Sequence, residues 1–207
     1  MVINAVAIII GYLLGSIPSA YIITRAVTGK DVRQLGSGNV GALNTFREVG
    51  PKAGIAVFLA DVSKGVAIIA IAKWGLGIPG ELFLLLAGLA TVVGQMWPVF
   101  LRFTGGRGMA TIFGFLAIFM PLHGYLLGFL IFLGVLAISL TLTRGNFALC
   151  MIVGLASIPI STWFLVESRL LVIFATVLLV LALVRVMPIA RAAWARSKNV
   201  KDFIRGQ

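Results

Sequence analysis

Charge is the scarcest property of this 207-residue chain. Asp, Glu, Lys and Arg make up 11% of it, against about 25% in a soluble domain. Acidic residues are scarcer still: six Asp and Glu stand against seventeen Lys and Arg, for a formal charge of +11. Six scattered carboxylates offer no paired general acid and base. The single histidine, His123, excludes a multi-histidine metal site, and no aspartate follows it at the spacing a His-x4-Asp acyltransferase site needs. No metal or cofactor is expected. The single cysteine, Cys150, lies in an apolar run, so no disulfide framework exists and no redox compartment can be read. No soluble module is left over to bind nucleic acid, which is therefore not an expected partner.

What is abundant is apolar. Hydrophobic residues reach 60% and the mean hydropathy is +1.11. At about 20 apolar residues per membrane-spanning helix, charge-poor stretches place seven spans, near 3–25, 53–73, 81–101, 109–122, 125–142, 147–166 and 169–187. The expected fold is thus an all-α integral membrane protein, one polytopic domain over 1–207. The fourth stretch is short and ends at Met120-Pro121-Leu122-His123-Gly124, so six spans with a re-entrant piece is the alternative. The N-terminal run lacks a basic leader and contains Pro18, and reads as a retained span rather than a cleaved signal. The 24 glycines suit close helix contacts in a bilayer.

Orientation follows from the basic residues, which concentrate in cytoplasmic loops. Arg25, Lys30, Arg33, Arg47 and Lys52 follow the first span. Arg102 and Arg107 follow the third, Arg144 the fifth, and Arg185, Arg191, Arg196, Lys198, Lys201 and Arg205 crowd the C-terminus. Seven spans put all of these on one side, leaving Lys73 and Arg169 on the other and Lys64 within a span. The N-terminus is then outside and the C-terminus cytoplasmic. Two cytoplasmic loops, 26–52 and 102–108, and a basic tail, 188–207, carry the unusual chemistry.

The first loop places Gly36, Ser37, Gly38, Asn39, Gly41 and Asn44 between cations, with Arg47 after them. Glycines bring N–H groups close to an anion, Ser and Asn add donors, and an arginine grips phosphate bidentately. A plain turn joining two helices accounts for the same composition equally well. The second loop, Thr104-Gly105-Gly106-Arg107-Gly108, opens a helix and suits an anion nest, although it lacks the nucleotide P-loop spacing. The competing reading is a flexible hairpin whose arginine faces lipid headgroups. Asp61 and Lys64 are three residues apart within span two, on one helix face, and are expected to form a structural ion pair. Arg144 and Asn146 form a further polar turn that either completes an anion pocket or anchors the interface. His123 falls near the outer face, too far from these loops for a Ser-His-Asp triad.

Taken in order, Leu14-Gly-Ser-Ile-Pro18, Gly36-Ser-Gly-Asn-Val-Gly-Ala-Leu-Asn44, Arg47, Asp61-x-x-Lys-Gly65, Trp97-Pro-Val-Phe100 and Gly105-Gly-Arg-Gly108 resemble the PlsY family, the integral-membrane, acyl-phosphate-dependent glycerol-3-phosphate acyltransferases of bacteria. The resemblance covers residues 11 to about 150. It implies seven spans in the cell inner membrane and an active site facing the cytoplasm. It also implies transfer of a fatty acyl group from acyl phosphate to glycerol 3-phosphate, giving 1-acylglycerol 3-phosphate and phosphate in phospholipid biosynthesis. Ser37, Arg47 and Arg107 become the candidate catalytic residues. Gly36, Gly38, Asn39, Asn44, Gly105, Gly106, Gly108, Arg144 and Asn146 become candidate substrate-binding residues. The expected partners are acyl phosphate, glycerol 3-phosphate and membrane lipid, with the chain a monomer. The chain departs from the family at four places. Arg107 stands where lysine is usual, Gln95 where histidine is usual, and Asn146 where a serine is usual. The third motif, a His and an Asn after the last span, has no counterpart in Arg185-Val-Met-Pro-Ile-Ala-Arg191. A paralogue with another acceptor fits these departures. A non-catalytic protein that binds or moves anionic lipid fits the basic face, but not the long ordered match in the first loop.

Overall fold

In the computed structural model, residues 2–143, 147–165 and 168–196 are described, and every element among them is helical. The first apolar run is two helices, α1 (Val2–Ser16) and α2 (Ser19–Thr28), where the sequence reads as one span over 3–25. Pro18 has no N–H to return to the preceding turn, so the ladder stops there. α2 closes on Gly29 at φ 72, whose N–H donates to the Arg25 carbonyl.

The expected loop 26–52 is more ordered than a plain connection. It contains a 3₁₀ turn, Val32–Gln34, and a short helix, α3 (Ala42–Glu48). α4 (Pro51–Ile69) starts on a proline that suits a first turn and continues as a π turn, Ala70–Gly75. α5 (Glu81–Met96) ends ahead of Trp97-Pro98, because a residue before proline is pushed out of helical geometry. Only a 3₁₀ turn, Val99–Leu101, completes the stretch to 101. Then come α6 (Met109–Leu122), α7 (Leu126–Leu142), α8 (Phe147–Leu165) and α9 (Arg169–Arg196). α9 carries Pro188 inside it and runs past 187, so the first part of the expected 188–207 tail is helix. Among the described residues, four stretches suffice by length and apolarity to cross a bilayer: Val2–Thr28, Pro51–Gly75, Glu81–Leu101 and Arg169–Pro188. Met109–Leu122, Leu126–Leu142 and Ile152–Leu165 are apolar but shorter.

The chain packs as two compact units, Met1–Phe119 and Met120–Gln207. The first is held together by backbone approach. α1 lies on α5 so closely that a Cβ added at Gly15 would collide with the Thr91 carbonyl oxygen, and one at Gly94 with that of Tyr12. This small-residue contact is the usual device where lipid removes the hydrophobic drive between helices. α4 meets α6 in the same way, Gly65 against Thr111 and Gly114 against Val62. Ile68, Leu84, Ile112, Phe115 and Phe119 are buried within this unit, and Val57 packs with Ala20, Val32, Val40 and Leu101. In the second unit α7, α8 and α9 pack in sequence around Phe132, Leu155, Leu171 and Leu178. Large apolar side chains also point outward, Ile9, Leu59, Leu130 and Phe164 among them, a surface suited to lipid rather than water.

Candidate active site

The first glycine loop is organised by one buried side chain. Asn44, in the first turn of α3, is 5% exposed. Its Oδ1 accepts from the Ser37 N–H at 3.0 Å and the Ser37 hydroxyl at 3.1 Å, and its Nδ2 donates to the carbonyls of Leu35 (3.0 Å) and Val32 (3.4 Å). Its hydrogen-bonding groups therefore face the loop. Asn44 thus braces the loop from beneath. Ser37 lies exposed above it, and the Asn39 N–H reaches the Ser37 hydroxyl at 3.5 Å.

Gly36 at φ 51 and Gly38 at φ 70 adopt the left-handed backbone that glycine enters without penalty. At Gly36 a Cβ also collides with the Asn44 and Glu48 side chains, so the turn rests directly on α3. Arg47 lies one turn beyond Asn44 and is exposed. The loop's near edge is fixed by Asp31, which caps the 3₁₀ turn through the Arg33 N–H and grips the Arg33 guanidinium at 2.6 Å. Those hydrogen bonds from Arg33 hold the Asp31 carboxyl below the usual carboxylate range and raise the Arg33 guanidinium. Arg33 and Arg25 both lie 5.8 Å from the Tyr21 ring centre, in cation–π range.

The second glycine loop folds back over the end of α5 and against the first loop. The Gly106 N–H donates to the Gln95 carbonyl at 3.1 Å. A Cβ added at Gly106 would collide with the Val40 carbonyl oxygen, and one at Gly105 with that of Gln95. Only glycine permits both approaches. The Gly106 N–H is thus already committed, which reduces the open nest that the sequence suggests over 105–108. Gly108, at φ 74, leads into α6, and Arg107 is half-buried beside it.

Below this junction lies a buried polar knot. Lys64 Nζ donates to Asp61 Oδ1 and to Gln95 Oε1, each at 2.8 Å, and to the Ile17 carbonyl. The Asp61 and Lys64 side chains are 4% and 5% exposed. The structure therefore brings together Gly36, Ser37, Asn39 and Asn44, sets Gly106 against Val40 in the same loop and Gly105 on the Gln95 and Met96 carbonyls, and joins Asp61 and Lys64 beneath them. Arg144 and Asn146 lie outside the described residues. Gln95 is the participant that residue-type reasoning missed, noted only as a departure from histidine. Its signal in the sequence was an uncharged polar side chain one residue from the end of an otherwise apolar helix.

Chemically, the two loops present hydroxyls and cations, Ser37, Arg47 and Arg107 among them, on glycine-rich backbone, with no histidine and no thiol. Such an arrangement suits the binding and neutralising of anions. Residues 5–205 match the glycerol-3-phosphate acyltransferase family. The chain is 43% identical to glycerol-3-phosphate acyltransferase 1 of Dehalococcoides mccartyi over 84% of its own length and 81% of that protein's. It is 37% identical to the glycerol-3-phosphate acyltransferase of Prochlorococcus marinus over 99% and 96%. Among solved structures it resembles the glycerol 3-phosphate form of the integral membrane protein PlsY, with a TM-score of 0.78 and 34% identity over 95% of this chain and 94% of that one. The lysophosphatidic acid form of PlsY matches with a TM-score of 0.76 and 31% identity over 99% of both chains. With the matched glycine loops and the near full-length coverage in agreement, the chain belongs to the PlsY family of integral membrane glycerol-3-phosphate acyltransferases.

Proposed function

We propose that this protein transfers a fatty acyl group from acyl phosphate to glycerol 3-phosphate, as an early step of phospholipid assembly. The observation that carries this reading is the junction of the two glycine loops, Gly106 against Val40, the loops whose sequences carry Ser37, Arg47 and Arg107. It is supported by likeness to a protein solved in glycerol 3-phosphate and lysophosphatidic acid forms. An acyl phosphate is a mixed anhydride and needs no enzyme nucleophile. The acceptor hydroxyl oxygen attacks the acyl carbon, a new C–O ester bond forms, and the bond from that carbon to the phosphate oxygen breaks. Phosphate leaves with the electron pair, and a phosphate oxygen of a substrate takes the hydroxyl proton. The protein's task is to hold two anions together, offset their charge and set the hydroxyl within attack distance. In this scheme Arg47 and Arg107 hold phosphate oxygens, the Ser37 hydroxyl donates to one, and the acyl chain lies among the apolar helices.

The membrane arrangement belongs to the same proposal. α1 with α2, α4 with its π turn, α5, α6, α7, α8 and α9 make seven crossings. The N-terminus is outside, and both glycine loops and the C-terminus face the cytoplasm of the inner membrane. α6, at 14 residues, is about 21 Å long, short of a hydrocarbon core of about 30 Å. Local thinning of the bilayer accommodates such a helix at modest cost.

The test is purified protein given acyl phosphate with a panel of acceptors: glycerol 3-phosphate, other phosphorylated alcohols, and glycerol. Phosphate release that depends on glycerol 3-phosphate, with 1-acylglycerol 3-phosphate formed, is the expected result. Release with a different phosphorylated alcohol alone favours a paralogue with another acceptor. Acyl phosphate returned unchanged with every acceptor overturns catalysis and favours a lipid-binding protein.

A further inference from the structure

We propose that Lys64, acting through Gln95, positions the second glycine loop. An ammonium has three protons to donate, and here each finds an acceptor: Asp61 Oδ1, Gln95 Oε1 and the Ile17 carbonyl. These acceptors come from α4, from the last turn of α5, and from the break between α1 and α2 that Pro18 creates. Gln95 is the link to the loop, because its side chain meets Lys64 while its own carbonyl accepts from the Gly106 N–H. The Gln95 and Met96 carbonyls also form the floor on which Gly105 rests. A shift of the Gln95 residue therefore moves the segment that ends in Arg107.

Energetics separate this role from simple cohesion. A buried ion pair contributes little net stability, since desolvation cancels most of the attraction, and a well-packed apolar replacement is often neutral or stabilising. Ionisable groups within a membrane helix are costlier still to keep. The Asp61–Lys64 pair is thus poorly explained as glue. Its geometry, three helical elements gathered one residue from a substrate-facing loop, explains it better. The consequence for substrate affinity rests on the reading of that loop as a phosphate site. The positioning itself does not.

Two variants test this. Gln95→Met keeps the side-chain volume and removes the acceptor, and the double variant Asp61→Leu/Lys64→Met removes both charges so that neither is left buried alone. Hydrogen exchange of the purified protein reads the 97–108 segment directly. Both variants are expected to exchange about tenfold or more faster there, with wild-type rates in α7–α9 and an unchanged thermal midpoint. In the acyl transfer assay both should raise the KM for glycerol 3-phosphate about tenfold while kcat stays within about threefold. Unchanged exchange in the 97–108 segment of both variants overturns the positioning role, whatever the activity. Loss of protection throughout the protein also overturns it, since the knot is then cohesive. Faster exchange at that segment with an inactive wild type upholds positioning and refutes the proposed reaction instead.

Discussion

At the scale of single residues, the glycine loops divide their labour between side chains that face outward and side chains that face the fold. Asn44 has both ends of its amide engaged by the loop it supports, whereas Arg47 is exposed. Residue type alone did not separate them, because a buried amide and a substrate-facing amide have the same letter. What separates them is burial, which depends on α3 docking under the loop. The phosphate role proposed for the arginines gives the sharpest test at this scale. An arginine on a buried phosphate is worth roughly 2–5 kcal/mol by analogy with buried charge pairs, or about 30- to several-thousand-fold in kcat/KM. Arg47→Ala and Arg107→Ala should each lose activity in that range in steady-state assays, with unchanged elution on size exclusion. If Arg107 supplies charge alone, Arg107→Lys keeps most activity. If it relies on the guanidinium fork, lysine fails nearly as badly as alanine. Arg47→Ala and Arg107→Ala both within about threefold of wild type, under roughly 1 kcal/mol, would remove the phosphate pocket.

At the scale of elements, the helices were legible because each apolar run is bounded by charge, glycine or proline. Their interruptions were less so. Pro18 was visible in the sequence, yet whether an internal proline breaks a membrane helix depends on what receives the freed carbonyl. Here the freed carbonyl is that of Leu14, four residues before the proline; it accepts from the Ile17 N–H at 3.3 Å, and the run splits. Pro188 sits within continuous helix in α9. α3 was hidden inside a loop reading because seven residues are too few to show a periodicity. Pairing of elements was legible only as glycine content, since a glycine that permits contact and one that faces lipid look alike until the partner is known. Gly15 and Gly134 make that difference measurable. A Cβ added at Gly15 would collide with the Thr91 carbonyl, while at Gly134 nothing lies within 4 Å. Gly15→Ala should force α1 off α5, costing about 1–3 kcal/mol or more as overpacking does. Gly134→Ala should be neutral, or stabilising by about 0.5–1 kcal/mol, through the lower entropy of the unfolded chain. Thermal unfolding in one detergent compares them; equal midpoints for the two variants contradict the α1–α5 packing described above.

At the scale of the whole molecule, the asymmetry of charge and the positions of exposed tryptophans bear on the same question. Trp74 ends the π turn after α4 and Trp163 lies near the end of α8, and both are more than 60% exposed. Tryptophan collects at the membrane–water boundary, and in a seven-crossing arrangement both these ends reach the outer face, where Lys73 and Arg169 also lie. The basic loops and tail take the opposite face. A six-crossing arrangement with α6 re-entrant keeps the N-terminal half unchanged and reverses everything after it. The discriminating positions therefore lie on either side of α6. Single cysteines at Lys30, Gly75 and Lys198, in a Cys150→Ser background that keeps the hydroxyl-type contact to Thr143, report the three regions. With intact cells and an impermeant maleimide, Gly75→Cys should label from outside, whereas Lys30→Cys and Lys198→Cys should label only after the membrane is opened. Labelling of Lys198→Cys from outside, with Lys30→Cys still protected, rejects seven crossings and makes α6 re-entrant.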